Sequence, residues 1–307
     1  MTKSRYNPTK KALLFWTLFI GIGAIFGGAC MLIDPSGKLM GMDAMLPYFK
    51  KLPFSDILFT NFIFSGISLL IVNGLTNIIA SILIVMNKKL GITLGGIFGI
   101  TLMLWICIQF YMFPLNFMST IYFIFGFIQA ITGFMASVFY KQEHFIMNES
   151  DYPNIGTNKK LLVVWFSRMG YTKKMAYELA NETGACLYEV KSTEKTEGTL
   201  GFWWCGRYGM HKWKMPIEDI KVNLEEFDHV TICTPIWVFG LSAVMRSFCS
   251  LSKGKIKEAD YVLLHFNRTP YFKAGKEMDD LLGLQNSKVT SICSRYGKRL
   301  NKKIMNE

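Results

Sequence analysis

Ser167, Arg168, Met169, Gly170, Tyr171 and Thr172 follow directly on the apolar run KLLVVWF and lead into a helix-period segment from Lys173 to Glu182. Two hydroxyls and a glycine therefore sit where a strand turns into a helix. The first amides of a helix have no intrahelical acceptor, and the helix dipole adds positive potential there, so a loop of this kind suits a phosphate. The glycine permits close backbone approach. Ser167 and Thr172 could also simply cap the helix, and this loop alone leaves both readings open.

A second cluster closes a later strand: Thr234, Pro235, Ile236, Trp237, Val238, Phe239 and Gly240. An aromatic at the carboxyl end of a strand is either a platform for a planar ligand or a packed core tryptophan. A third cluster, His265, Phe266 and Asn267 with Arg268, ends the next strand; a lone histidine there is more often satisfied structure than a tuning charge. Between the second and third strands, GTLGFWWCGRYGMHKWKM (residues 198–215) interleaves aromatics and bases without a clean period. It could cover a ligand, rest on a membrane interface or dock a partner, and the first two are favoured.

The elements that must hold these residues alternate. Strands are predicted over 160–166, 186–190, 229–234, 261–266 and 288–293, with helices over 173–182, 242–251 and 273–282. Such alternation argues a doubly wound α/β sheet, in which ligands bind where the strand order reverses.

With those residues in place, LLVVWFSRMGYTKKMAYELANETG resembles the opening of a flavodoxin, and TICTPIWVFGLSAVMRSF resembles its second flavin loop. The resemblance covers residues 159–307. It implies a flavodoxin-like, five-stranded parallel sheet of order 2-1-3-4-5, bound FMN and electron transfer. Ser167, Gly170 and Thr172 match three positions of the family's hydroxyl-x-Thr-Gly-x-Thr loop, and Met169 replaces its central threonine. Trp237 is then expected against the isoalloxazine, with Thr234 and Pro235 shaping the turn. The third loop departs from the family's small, glycine-rich pattern, and the resemblance implies a flavin edge contact for His265, Phe266 and Asn267 in its place.

The first 141 residues are different in kind, and residues 142–158 read as a linker. The whole chain is 51% hydrophobic, and the excess lies in four stretches near 12–33, 57–86, 92–112 and 118–140, each long enough to cross a bilayer. This predicts an α-helical transmembrane bundle of uncharacterised type. Lys3, Arg5, Lys10, Lys11, then Lys88 and Lys89, then Lys141, Lys159 and Lys160 fall on one side of these spans. That places both termini and the second domain in the cytoplasm of a multi-pass membrane protein, although Lys38, Lys50 and Lys51 in the 34–56 connection weaken the rule. The spans hold Asn61, Asn73, Asn77, Gln109 and Gln129 but no His, Asp, Glu, Lys or Arg, which argues against a pump or a b-type cytochrome.

Net charge is +12, divided evenly between the residues before 141 and those from 141 on. Beside a membrane this is most simply attraction to anionic lipid; no nucleic-acid module is visible. The seven cysteines contain no C-x-x-C pair and read as reduced, mostly buried thiols rather than a metal site. No glycine fingerprint for NAD is present. The leading expectation is a membrane-anchored FMN protein that exchanges electrons with a partner protein or a small-molecule donor or acceptor. The alternatives are a flavin-dependent NAD(P)H quinone or small-molecule reductase, and a scaffold or sensor that has lost FMN.

Overall fold

A computed structural model describes residues 5–305, so Lys3 of the first basic cluster lies outside the described residues. The chain divides into two compact units, one ending at His144 and the other beginning at Phe145.

In the first unit the apolar stretches form four helices, α1 (Tyr6–Ile33), α2 (Ile63–Val85), α3 (Lys89–Met112) and α4 (Phe117–Glu143), all long and apolar enough to span a bilayer. α2 starts later than expected because Ser55–Leu58 makes a separate helical turn. The outward side chains are large and apolar, including Phe15, Phe26, Leu104 and Phe134. The inward ones mix aliphatic residues such as Leu13, Ile20, Ile84 and Leu102 with small residues that let the helices pack closely. A Cβ on Gly133 would sit 2.3 Å from the Cα of Gly96, and one on Gly99 would sit 2.6 Å from the carbonyl oxygen of Gly126.

Of the amides expected to glue these helices, Gln129 and Gln109 bond across them, Gln109 Oε1 accepting from the Ser119 hydroxyl at 2.9 Å. Asn61 instead accepts from the Ile63 N–H at the start of its own helix, and the Asn73 side chain is buried without a partner among the described residues. Gln129 Nε2 donates to Asn77 Oδ1 at 2.8 Å and to the Gly95 carbonyl at 2.7 Å. Asn77 Nδ2 donates to the Asn73 carbonyl, inside a π-helical turn over Leu70–Leu75. Gln129, Asn77 and Asn73 are all buried. Gln129→Leu leaves Asn77 Oδ1 without a donor in the bundle interior and is expected to destabilise the bundle by about 1–2 kcal/mol. Unfolding in mixed micelles with rising SDS, followed by far-UV circular dichroism, reads this directly; an unchanged midpoint would mean the amide contributes nothing net.

The second unit runs β1 (Asn158–Trp165), α5 (Tyr171–Thr183), β2 (Ala185–Glu189), α6 (Gly198–Met210), β3 (His229–Trp237), β4 (Gly240–Leu241), α7 (Ala243–Leu251), β5 (Ala259–His265), α8 (Phe272–Leu282), β6 (Val289–Arg295) and β7 (Lys298–Met305). The sheet order is β2-β1-β3-β5-β6-β7, with β4 paired to β3 alone. This corrects the expected five-stranded sheet of order 2-1-3-4-5. Two strands were missing from it, both antiparallel: β4, which folds back on β3, and β7, which folds back on β6. β7 is lysine-rich (KRLNKKIM) and exposed over most of its length, so it has no apolar alternation to betray it; its charges protect a free sheet edge.

Alternate residues of β1 point to opposite faces. Leu162, Val164 and Phe166 join one core with Val244, Met245 and Phe248 of α7 and Met278 of α8. Val163 and Trp165 join another with Met175, Ala176 and Ala180 of α5. Both faces of the sheet are therefore covered, as a doubly wound unit requires. The segment expected to be a linker is packed: the Gly156 N–H donates to the Ala185 carbonyl at 2.9 Å, and Asn154 N–H to Asn181 Oδ1 at 3.0 Å.

Candidate functional site

Parallel pairing of β1 with β3 and of β3 with β5 brings the loops after these three strands to one edge of the sheet. The chain leaves β1 toward β2 on one side and returns to β3 on the other, so the β1/β3 boundary is the switch point.

The first loop is built around Gly170, whose φ of +84° makes it the left-handed N-cap of α5. No side chain caps that helix, so the expectation that Ser167 or Thr172 serves only as a cap finds no support, and the first-turn amides have no side-chain acceptor. Thr172 is buried, while Ser167, Arg168, Met169 and Tyr171 are half-buried. Arg168 lies over the Phe202 ring of α6 at 5.3 Å. The Tyr171 hydroxyl is buried without a hydrogen-bond partner. Burial and the neighbouring Tyr296 push its pKa up to about 12, which keeps it a donor.

The second loop is a tight hairpin. Ile236 pairs with Leu241 and Trp237 with Gly240, leaving Val238 and Phe239 as the two turn residues, both at positive φ (+46° and +64°). Left-handed backbone is sterically costly for a β-branched residue, and such strain collects at ligand sites. Phe239 is 78% exposed. Thr234 is fully buried, its hydroxyl 3.0 Å from that of Ser242 at the start of α7, so it shapes the turn from within. Trp237 is half-buried, with its ring edge-to-face against Phe166 at 5.5 Å.

In the third loop, His265 is held on both ring nitrogens. Nδ1 lies 2.7 Å from the Asn267 carbonyl, which can only accept, so Nδ1 carries the proton and Nε2 accepts from the Ser291 hydroxyl at 2.8 Å. Burial lowers the His265 pKa, favouring this neutral ring. His265 thus fixes the loop. Phe266 is exposed beside Tyr296. Asn267 Nδ2 donates to the Tyr271 hydroxyl, while its Oδ1 is buried without a partner.

Three contributors were not legible beforehand. Residues 198–210 form the helix α6, correcting the reading of that stretch as aperiodic; its inner stripe is Gly201, Cys205 and Gly209, small residues at helical spacing, and a Cβ on Gly209 would lie 3.4 Å from that of Trp237. The Tyr296-Gly297 hairpin turn stands between Tyr171 of the first loop and Phe266 of the third. Phe145 packs edge-to-face on Tyr171, 3.1 Å from where a Cβ on Gly170 would be.

The donor set fits a mononucleotide: uncapped amides after a left-handed glycine, a buried unpartnered hydroxyl in the first loop and a buried unpartnered acceptor in the third. The cysteines stay structural. All seven are free, and burial pushes the Cys205 thiol up to about 11 and those of Cys233 and Cys249 higher still. Among the described residues no cluster could hold a metal ion. A surface cavity of about 250 Å3 lined by Lys276, Asp279, Asp280, Ser287 and Met305 opens at the opposite, amino edge of the sheet.

No protein-family profile matches the chain, and no curated protein matches it at a significant level. Solved structures similar to its C-terminal part include a provisionally assigned flavoprotein of Bacteroides eggerthii (22% identity, 43% of this chain and 86% of that one, TM-score 0.38). They also include a flavoprotein of Lactobacillus acidophilus in complex with FMN (19%, 41% and 87%, TM-score 0.34) and a provisionally assigned flavoprotein of Bacteroides uniformis (21%, 40% and 82%, TM-score 0.36).

Proposed function

We propose that the second unit binds FMN at the switch point and exchanges electrons with a partner protein or a small molecule at the cytoplasmic face of a membrane crossed by the four helices. The observation that carries this is the loop Ser167–Thr172, which presents the uncapped first turn of α5 behind a left-handed Gly170, directly beside the loop that holds Trp237. Bound there, FMN would supply reversible one- and two-electron chemistry. The chain's own tasks are to hold the phosphate on the α5 amides and the Ser167 and Thr172 hydroxyls, to donate from Tyr171, and to pack the ring system against Trp237. The basic residues at Lys10, Lys88, Lys89 and Lys141 support the cytoplasmic placement.

Trp237→Ala tests the ring assignment. An electron-rich indole against a flavin quenches its emission, so the variant should hold FMN with restored fluorescence and a shifted reduction potential. The hairpin pairing of β3 with β4 does not depend on that side chain, and the fold should survive. Unchanged emission and potential in a variant that still binds FMN would assign Trp237 to the core alone.

A further inference from the structure

α6 is amphipathic in the inverted sense. Its inner stripe, Gly201, Cys205 and Gly209, is buried against the domain, and the opposite side carries Leu200, Trp203, Arg207 and Met210 at the i, i+3, i+7, i+10 spacing of one helix face. All four are exposed, Trp203 to 70%. A domain does not ordinarily turn tryptophan, leucine and methionine outward along a whole helix while placing glycines beneath it; such a surface marks an interaction.

The end of the helix continues the pattern. The Lys212 N–H donates to the Gly209 carbonyl and the Trp213 N–H to that of Tyr208, with Trp213 packed on the Tyr208 ring at 5.9 Å. This is a complete Schellman motif, whose left-handed position usually belongs to glycine. Here it is Lys212, at φ +54°. Arg207, Lys212, exposed Trp213 and Lys214 thus crowd the end of an aromatic ridge, and no acidic residue occurs between Glu197 and Glu218. Glu197 stands at the start of the helix, and the Glu194 carboxylate accepts from the Trp204 indole. Apart from these two, the charges around the apolar and aromatic groups are cationic, which matches the interface of an anionic bilayer. The chain supplies such a bilayer: the second unit begins two residues after α4 ends at Glu143.

We infer that the outer face of α6, with its Lys212–Lys214 end, is a lipid-docking surface that rests on anionic headgroups. The inference depends on the four helices spanning a membrane, and the test separates the two. The full chain, carrying benzoylphenylalanine in place of Trp203, Phe134 or Lys257, is reconstituted into nanodiscs of phosphatidylglycerol or of phosphatidylcholine, irradiated and analysed by mass spectrometry. Phe134 is exposed on the α4 span, and Lys257 is exposed at the amino edge of the sheet. Position 134 should yield lipid adducts in both discs, position 203 several-fold more in phosphatidylglycerol than in phosphatidylcholine, and position 257 none. Lys212→Gly relieves the left-handed backbone and removes one cation. It should leave the melting temperature unchanged or raised, yet lower the docked-to-undocked ratio at position 203 about fivefold. Lipid adducts at 134 with none at 203, adducts at 203 only to a second copy of the chain, equal yields at 203 and 257, or a Lys212→Gly yield equal to the parent would each overturn the docking surface. Failure at 134 would overturn the membrane reading itself.

Discussion

Gly170→Val is expected to lower FMN affinity by more than about a hundredfold, whereas Ser167→Ala lowers it about tenfold. The alanine removes one hydroxyl from a charged phosphate, a loss of about 1.5 kcal/mol at the lower end of such bonds. The valine acts on the backbone. At φ +84° any side chain pays for the left-handed conformation, about 1–2 kcal/mol and more when β-branched, and its Cβ would press on Phe145 at 3.1 Å. The chain relieves this by leaving the left-handed region, which re-aims the amides of residues 171–173 together. Phe145→Ala in the Gly170→Val background should not restore binding, because the dihedral cost remains. Fluorescence titration of apo-protein with FMN measures all three; equal and negligible effects would place the phosphate elsewhere.

The second large effect is on stability. Arg246 of α7 is only 4% exposed, and its Nε donates to Glu277 Oε1 of α8 at 2.6 Å while Nη1 reaches the Trp213 carbonyl at 3.3 Å. Glu277→Leu strands a buried guanidinium. The expected cost lies toward the lower end of about 3–5 kcal/mol, since the carboxylate side of the pair is partly open to water. Arg246→Met combined with Glu277→Leu removes both charges and should recover most of that loss. Thermal unfolding followed by near-UV circular dichroism distinguishes the outcomes: a double variant as unstable as Glu277→Leu alone would show that the side-chain shapes, not the stranded charge, set the cost.

What was legible in the sequence follows from what each element contacts. The parallel strands announce themselves because both faces are buried, so LLVVWF and HVTICT read as apolar runs, and the loops at their carboxyl ends are found by position. β7 and α6 were hidden for opposite reasons. β7 is an edge strand whose side chains face water, and nothing in KRLNKKIM distinguishes it from a charged tail; only the Tyr296-Gly297 pair, a two-residue hairpin turn with both φ positive, hinted at it. α6 turns its large residues outward, so the usual search for an apolar stripe facing inward finds no period, although the small residues at 201, 205 and 209 keep one. His265 could not be weighed from sequence because its role is fixed by Ser291, which is distant in sequence and adjacent only through β5–β6 pairing.

The central claim, that the second unit holds FMN, is tested most directly by purifying the full chain in detergent, recording its visible absorption spectrum and identifying the released cofactor by mass spectrometry. The account predicts a yellow protein that releases FMN in equimolar amount with the chain, or a colourless one that becomes yellow and quenches flavin emission on titration with FMN. A protein that stays colourless with added FMN, or one that releases FAD as its main cofactor, would contradict it.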